Sequence, residues 1–224
     1  MDIYVRPGDS FWYYSQLFRI PLQLIIDSNR NINPQTIQQG QRIQIPAYVA
    51  QNYQIKSGDS LWSIAMSRNL PLDTLFLINP NLNPNRLQIG QTIQVPLRIT
   101  WRLVNGKQNY TYEVMMNDIQ RLQTVYPFLQ VSSIGNSVLN RSIPEVLIGI
   151  GDKRVAYNGS FHANEWITTP TIMTFLNDYA LSLTNQTTIR GLITSPLYEQ
   201  TSLSIVPMVN PDGVNLVLNG PPEL

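Results

Sequence analysis

Gly58-Asp59-Ser60-Leu61-Trp62-Ser63-Ile64-Ala65 stands fifty residues after Gly8-Asp9-Ser10-Phe11-Trp12, and the correspondence runs on without a gap. Residues 3–46 align with 53–96 at that constant offset. Pro21-Leu22 maps onto Pro71-Leu72, and Asn29, Asn31 and Asn33-Pro34 map onto Asn79, Asn81 and Asn83-Pro84. Each copy closes alike, with Gly40-Gln41 and Ile43-Gln44-Ile45-Pro46 in the first, Gly90-Gln91 and Ile93-Gln94-Val95-Pro96 in the second. Identity at so many punctuating positions marks two copies of one module, and periods of this size signal repeat architectures.

The physical chemistry of one copy predicts strand, helix, helix, strand. A short alternating run (Ile3-Tyr4-Val5; Tyr53-Gln54-Ile55) ends at a Gly-Asp turn. Ser10 and Ser60 follow, each able to cap a helix through its side-chain oxygen. Leu61, Ile64 and Ala65 then have helical spacing. Pro21 and Pro71 suit the start of a second helix, where a missing N–H is harmless. Trp12 and Trp62, at the start of a helix, are read as core residues rather than sugar platforms.

Composition narrows the classes of function. The 224 residues carry a formal net charge of +1 and only 13% charged residues, so electrostatics favour neither nucleic acid nor an anionic membrane. There is no cysteine, which excludes disulfides, thiolate nucleophiles and cysteine-ligated zinc. No apolar run approaches the roughly 20 residues of a membrane span, and a soluble protein is expected. Met1-Asp2-Ile3-Tyr4 has no basic segment leading into an apolar one, so no classical secretion signal is read there.

The repeat closely resembles LysM, a module that binds peptidoglycan and chitin, over residues 1–97. The resemblance implies shallow grooves for N-acetylglucosamine units between the turn after strand one and the loop before strand two. The first would be formed by Gly8, Asp9, Ser10 and Phe11 with Asn33, Pro34 and Ile37. Gly58, Asp59, Ser60 and Leu61 with Asn83, Pro84 and Leu87 would form the second. The implied chemistry has small polar groups answering acetamide and hydroxyls, with an apolar side chain over the sugar face. Two tethered weak sites gain avidity on a polymer.

From Arg98 the character changes. Thr111 is a possible N-cap before Val114, Met115, Ile119, Leu122 and Val125, which keep helical spacing until Pro127. Strands are predicted at 131–135, 145–150 and 154–157, the last buried, with a helix over 172–183 that starts as early as Thr168. A further buried strand at 203–209 ends in Asn210-Pro211-Asp212-Gly213, read as a structural turn. Such alternation argues for a sheet flanked by helices. Glu145 and Glu199 are read as solvated surface charges.

Between the third strand and the following helix lies Phe161-His162-Ala163-Asn164-Glu165-Trp166, with the chain's one histidine. A histidine and a carboxylate three residues apart at a strand-to-helix turn can reach one metal ion, although catalytic zinc needs three protein ligands and an open position. In this ordered context, with Tyr110-Thr111-Tyr112-Glu113, Ile134-Gly135 and the Asn-Pro-Asp-Gly segment, the second half resembles the zinc carboxypeptidase family (M14). Together with LysM modules it is similar to the bacterial γ-D-glutamyl-L-diamino acid endopeptidases, which cleave peptidoglycan stem peptides.

The resemblance implies one zinc ion held by His162 and Glu165, with Asn164 facing substrate where digestive carboxypeptidases carry an arginine. The third ligand and the general base would lie beyond Leu224. Neither Asp212 nor Glu199 is favoured by spacing as a third ligand. A truncated catalytic domain, inactive by itself, is therefore expected.

The expected architecture is a pair of α+β LysM repeats (βααβ) at 1–48 and 51–97. A partial α/β zinc-carboxypeptidase-like domain follows at 100–224, with a mixed sheet flanked by helices. The expected partners are a peptidoglycan or chitin-like N-acetylglucosamine glycan and a muropeptide substrate, at the cell wall or spore, or in the mother-cell cytoplasm. The alternative reading is a non-catalytic LysM glycan-binding protein.

Overall fold

The computed structural model describes residues 1–221; the last three positions of the expected 100–224 segment lie outside the described residues. The chain divides into two compact units between Ile99 and Thr100, and each is built by its own rules. Among the described residues no helix is long and apolar enough to cross a membrane.

The first unit contains two βααβ modules. Module one comprises β1 (Asp2–Tyr4), α1 (Phe11–Phe18), α2 (Leu22–Asp27) and β2 (Arg42–Gln44); module two comprises β3 (Tyr48–Gln54), α3 (Leu61–Met66), α4 (Leu72–Ile78) and β4 (Thr92–Arg98). Each module's strands pair antiparallel, with Ile3 opposite Ile43 and, at the same place in the repeat, Tyr53 opposite Ile93. The element order is the one the repeat predicts, and the two modules pair their strands in the same register.

Local chemistry explains the copies' likeness. Ser10 Oγ accepts from Tyr13 N (3.1 Å), and Ser60 Oγ accepts from Ser63 N (3.0 Å) while the Ser63 hydroxyl accepts from Ser60 N (2.9 Å). At the end of each second helix one asparagine ties helix to strand. The Asn29 amide donates to Ile25 O and Gln44 O and accepts from Gln44 N; Asn79 makes the same three bonds to Leu75 and Gln94.

The copies also differ in a compensated way. The turn aspartate accepts a tyrosine hydroxyl at 2.8 Å in both, from Tyr14 in module one and from Tyr53 in module two. Ile64 and Ile3 occupy the matching positions. A tyrosine gained on the helix replaces one on the strand.

The second unit starts with α5 (Tyr112–Val125), capped by the Thr111 hydroxyl, followed by β5 (Gln130–Asn136), β6 (Ser142–Ile148) and β7 (Lys153–Asn158). A 3₁₀ turn (Ala163–Glu165) leads to α6 (Thr168–Asn185). Then come β8 (Thr188–Ile189), β9 (Leu192–Ile193), α7 (Ser195–Gln200), β10 (Thr201–Val206) and α8 (Pro211–Asn219).

The main sheet runs β5-β6-β10-β7, antiparallel except for the parallel β10–β7 pair. The unit's buried residues include Val146, Ile148, Leu203 and Ile205 of the sheet, Met115, Ile119 and Leu122 of α5, and Met173, Leu176 and Ala180 of α6. Between β6 and β7 the chain passes so close to α7's end that a Cβ on Gly151 would lie 1.9 Å from the Gln200 carbonyl carbon.

Two expectations for this unit need correction. The strand at 154–157 is not buried: β7 pairs with β10 alone among the described residues, and only Val155 along it is even half-buried. The interior position falls to β10, between β6 and β7. Asn210-Pro211-Asp212-Gly213 is a helix start: Asn210 Oδ1 accepts from Gly213 N (2.9 Å) and Pro211 takes the first helical position, which needs no N–H.

Candidate functional site

The turn carrying His162 is fixed by backbone from another part of the chain. Gly159 N donates to Val206 O (3.0 Å), Val209 N to Gly159 O (2.9 Å) and Asn210 N to Ser160 O (3.0 Å). The buried Ser160, at φ +50°, donates its N–H to Thr168 Oγ1 (2.6 Å) and shares a hydrogen bond with Thr169 Oγ1 (2.6 Å). Thr169 in turn donates to Pro207 O (2.7 Å), and the Thr168 hydroxyl donates to Glu165 O (2.8 Å). Gly213 lets α8 approach: a Cβ there would lie 2.8 Å from Ala163 Cβ.

The turn thus stands at the carboxyl ends of the parallel pair β7 and β10, the place where α/β sheets bind ligands. His162 Nδ1 and Glu165 Oε1 are 3.1 Å apart, with side chains 71% and 47% exposed. Hydrogen bonds from the His162 side chain and backbone hold the Glu165 carboxyl below the usual carboxylate range. Asn164, between them, is exposed.

An imidazole nitrogen and a carboxylate oxygen converging on open solvent fit two ligands of a zinc ion, whose protein ligands are drawn from that set. No group of three or more metal-binding side chains gathers among the described residues. Asp212 is engaged elsewhere, accepting from Ser137 Oγ (3.0 Å), Leu139 N (2.9 Å) and Arg141 Nη1 (2.7 Å). Burial opposes its ionisation, but these donors together hold its carboxyl below the usual range. Glu199 is exposed on α7. Glu145 is not simply solvated, since it accepts from Ser204 Oγ (2.6 Å) across the sheet.

The sequence reading missed the residues that brace this turn: Ser160, Thr168, Thr169 and Gly213. The run Thr168-Thr169-Pro170 opening the next helix was the available signal, because hydroxyls there can bond back to the preceding loop.

In the first unit the structure sorts the groove residues. Gly8 and Gly58 hold φ of +83° and +85° at the two turns, a conformation glycine enters readily. Gly40 N donates to Val5 O and Gly90 N to Ile55 O, each at 2.8 Å, so the end of the second loop lies beside the strand that leads into the turn. Asn33, Pro34, Asn83 and Pro84 are exposed, with Ile37 and Leu87 half-buried. The Asn33 and Asn83 side-chain oxygens accept from Gln35 N (2.9 Å) and Asn85 N (3.0 Å).

Other candidates are turned inward. Asp9 accepts from Arg6 N (3.2 Å) and Tyr14 OH (2.8 Å), and Asp59 from Lys56 N and Tyr53 OH (2.8 Å each). Both carboxylates close their own turns. The Lys56 amide and the Tyr53 hydroxyl lower the Asp59 carboxyl.

Phe11 and Leu61 are 2% and 4% exposed, so an apolar cover for a sugar face is not theirs to supply. Trp12 and Trp62, expected in the core, are 63% and 62% exposed. The cause is helix phase. With the serine as cap, the first helical residue shares its inner face with residues three and four further on, Tyr14 and Ser15 or Ile64 and Ala65, and the tryptophan is carried outward.

Comparison with known proteins agrees with this division. Residues 115–221 match the zinc carboxypeptidase family, Peptidase M14, and residues 3–46 and 53–96 each match the LysM domain. The chain is 78% identical over 222 residues to gamma-D-glutamyl-L-diamino acid endopeptidase 1 of Lysinibacillus sphaericus, spanning 99% of this chain and 56% of that protein. It is 40% identical over 127 residues to the uncharacterized protein YqgT of Bacillus subtilis (strain 168), spanning 55% of this chain and 34% of that one.

A solved LysM domain from Volvox carteri chitinase is 43% identical over 22% of this chain and 100% of its own, with a TM-score of 0.21. The chain thus spans little more than half the length of the first of these curated relatives and about a third of the second. It carries two LysM domains followed by a zinc carboxypeptidase segment of family M14.

Proposed function

We propose that this chain belongs to a peptidoglycan-directed zinc peptidase. The LysM pair holds the wall glycan, and the second unit supplies part of a site that hydrolyses the γ-D-glutamyl–diamino acid bond of stem peptides. The observation that carries the reading is the His162–Glu165 pair, 3.1 Å apart at the carboxyl ends of β7 and β10. The 78% identical relative bears the corresponding name.

Zinc, when bound there, polarises the scissile carbonyl and lowers the pKa of a bound water. His162 and Glu165 are the residues that would hold it, through a ring nitrogen and a carboxylate oxygen, on a turn braced by the Ser160, Thr168 and Thr169 hydroxyls. The exposed Asn164 offers an amide to the polar groups of the stem peptide. The glycan part of the function rests on the modules, both of which close their βααβ unit. We place the protein at the cell wall or spore.

The test uses the longer polypeptide that contains this chain, at the relative's length, with a disaccharide-tetrapeptide as substrate. Release of the dipeptide beyond γ-D-glutamate is expected, with loss of at least about a thousandfold in His162→Ala, on the scale of removing a principal catalytic group. Full activity in that variant would overturn the zinc assignment. Sedimentation of the 224-residue chain with insoluble peptidoglycan tests the glycan part separately.

A further inference from the structure

The two modules are clamped together by residues that the repeat does not share. The Arg6 guanidinium binds Asp73 of module two through both terminal nitrogens (2.9 and 2.6 Å) and Asp9 of its own turn through Nε (3.0 Å). The Tyr13 hydroxyl donates to the same Asp73 carboxylate. The matching positions are Lys56, Ser63 and Gln23, so none of the three could reproduce this bidentate, hydroxyl-supported pair. The repeat breaks where the modules face one another.

Beside this clamp lies a cleft of about 420 Å³ between the modules, with Tyr4, Pro7 and Gln39 on one side and Phe76 and Pro80 on the other. Its volume is within the roughly 300–1,000 Å³ of small-ligand sites. Tyr4 is 58% exposed. The two aromatic walls are also departures from the repeat, since Gln54 and Ile26 occupy the matching positions. Each module therefore carries an aromatic ring where it faces the cleft, and its copy has none there.

We propose that this cleft is a further sugar subsite, taking one neutral N-acetylhexosamine unit of a glycan that continues into the module-one groove. The proposal rests on the glycan-binding reading above. Arg6 is the charged residue of the cleft lining and is already engaged by Asp73 and Asp9; the other lining residues are uncharged, so the cleft offers no free charge to an ionic ligand. Aromatic and proline faces suit the apolar face of a pyranose, and the Gln39 amide and Tyr4 hydroxyl suit its hydroxyls and acetamide. Pro7, in the cleft wall, is followed directly by Gly8 of the module-one groove, so one chain can span both.

The test is calorimetric titration of the whole 224-residue chain with the trimer and the hexamer of N-acetylglucosamine. Tyr4→Ala and Phe76→Ala are each expected to weaken hexamer binding about tenfold and to leave trimer binding at the parent value. Gln39→Ala, at an exposed position outside the core, is expected to give a smaller loss of the same pattern and keeps the test alive if Phe76→Ala misfolds.

Hexamer binding unchanged in folded variants would overturn the cleft and leave the grooves standing. Equal losses for trimer and hexamer would assign these residues to the module-one groove, which also overturns a separate subsite. No binding by the parent chain would remove the glycan reading and the cleft with it. A parent that prefers a stem peptide to the hexamer at this cleft would overturn the sugar as occupant.

Discussion

Residues 1–99 and the segment from Thr100 onward place their candidate functional groups by opposite means. In the first unit every groove is assembled within one run of about 45 residues, matched over 3–46 and 53–96. Turn, cap and closing strand are fixed by bonds inside that run. In the second unit the turn bearing His162 and Glu165 hangs on Val206, Pro207 and Asn210, which arrive after two intervening helices and a hairpin. Local assembly permits duplication, and dispersed assembly does not: a module can be copied with its site, whereas the His162 turn has no meaning apart from β10.

The sharpest way to break this comparison is a glycine substitution in each unit. Gly151→Ala places a methyl group 1.9 Å from backbone at Gln200, where no side chain can yield. A loss of at least about 3 kcal/mol is expected, confined to the second unit's unfolding transition in calorimetry. At Gly58, φ is +85° but the added Cβ meets nothing within 4 Å. About 1–2 kcal/mol is expected there, the cost of the left-handed conformation, and only in the first unit's transition. Transitions that move together in either variant would show that the units do not stand apart.

A finer test is Thr169→Val, which keeps the shape but removes the hydroxyl serving Pro207 O and Ser160 Oγ. Buried groups left unpaired cost about 1–3 kcal/mol. Faster amide exchange is expected at residues 159–165, with residues 1–99 unaffected. Unchanged exchange would mean that the dispersed hydroxyl network is not what holds the site.

The smallest effect concerns acid. Hydrogen bonds from Arg6, opposed by partial burial and assisted by the Tyr13 hydroxyl, lower the Asp73 carboxyl. A depressed folded pKa gives stability that is present above the unfolded value of about 4 and lost as pH falls through the lower folded value. Because the pair is partly solvated, on the order of 1 kcal/mol or less is expected. It is read as the difference in urea midpoint of the first unit between pH 7 and pH 3, and Asp73→Asn should abolish that part of the difference.

Much of the fold was legible because punctuation carried it. Gly-Asp-Ser, the paired prolines and the closing Gly-Gln recur at one offset, so element order followed. The helix capped by Thr111 was equally plain. What misled was treating residue size as position. Trp12 and Trp62 look like core by bulk, yet the serine cap sets a phase that points them outward. Arg154–Tyr157 looks buried by composition, but sheet order is a non-local property, and no residue in that strand states that β10 will take the inner place. The Ser160–Thr169 bracing likewise spans elements whose proximity no spacing rule supplies, although the His-x-x-Glu pair itself was visible at once.

The strand order also has a consequence for how the chain is made. Synthesis delivers the N-terminal parts first, and β10 begins at Thr201, 43 positions after β7 ends at Asn158. Because β6 and β7 both pair with β10 and not with each other, the sheet has no centre until that late strand emerges. His162 and Glu165 leave the ribosome well before the carbonyls of Val206 and Pro207 that fix their turn. Each LysM module, in contrast, closes once its own second strand is out. A nascent chain therefore holds finished LysM modules while the turn that carries His162 and Glu165 is still unformed.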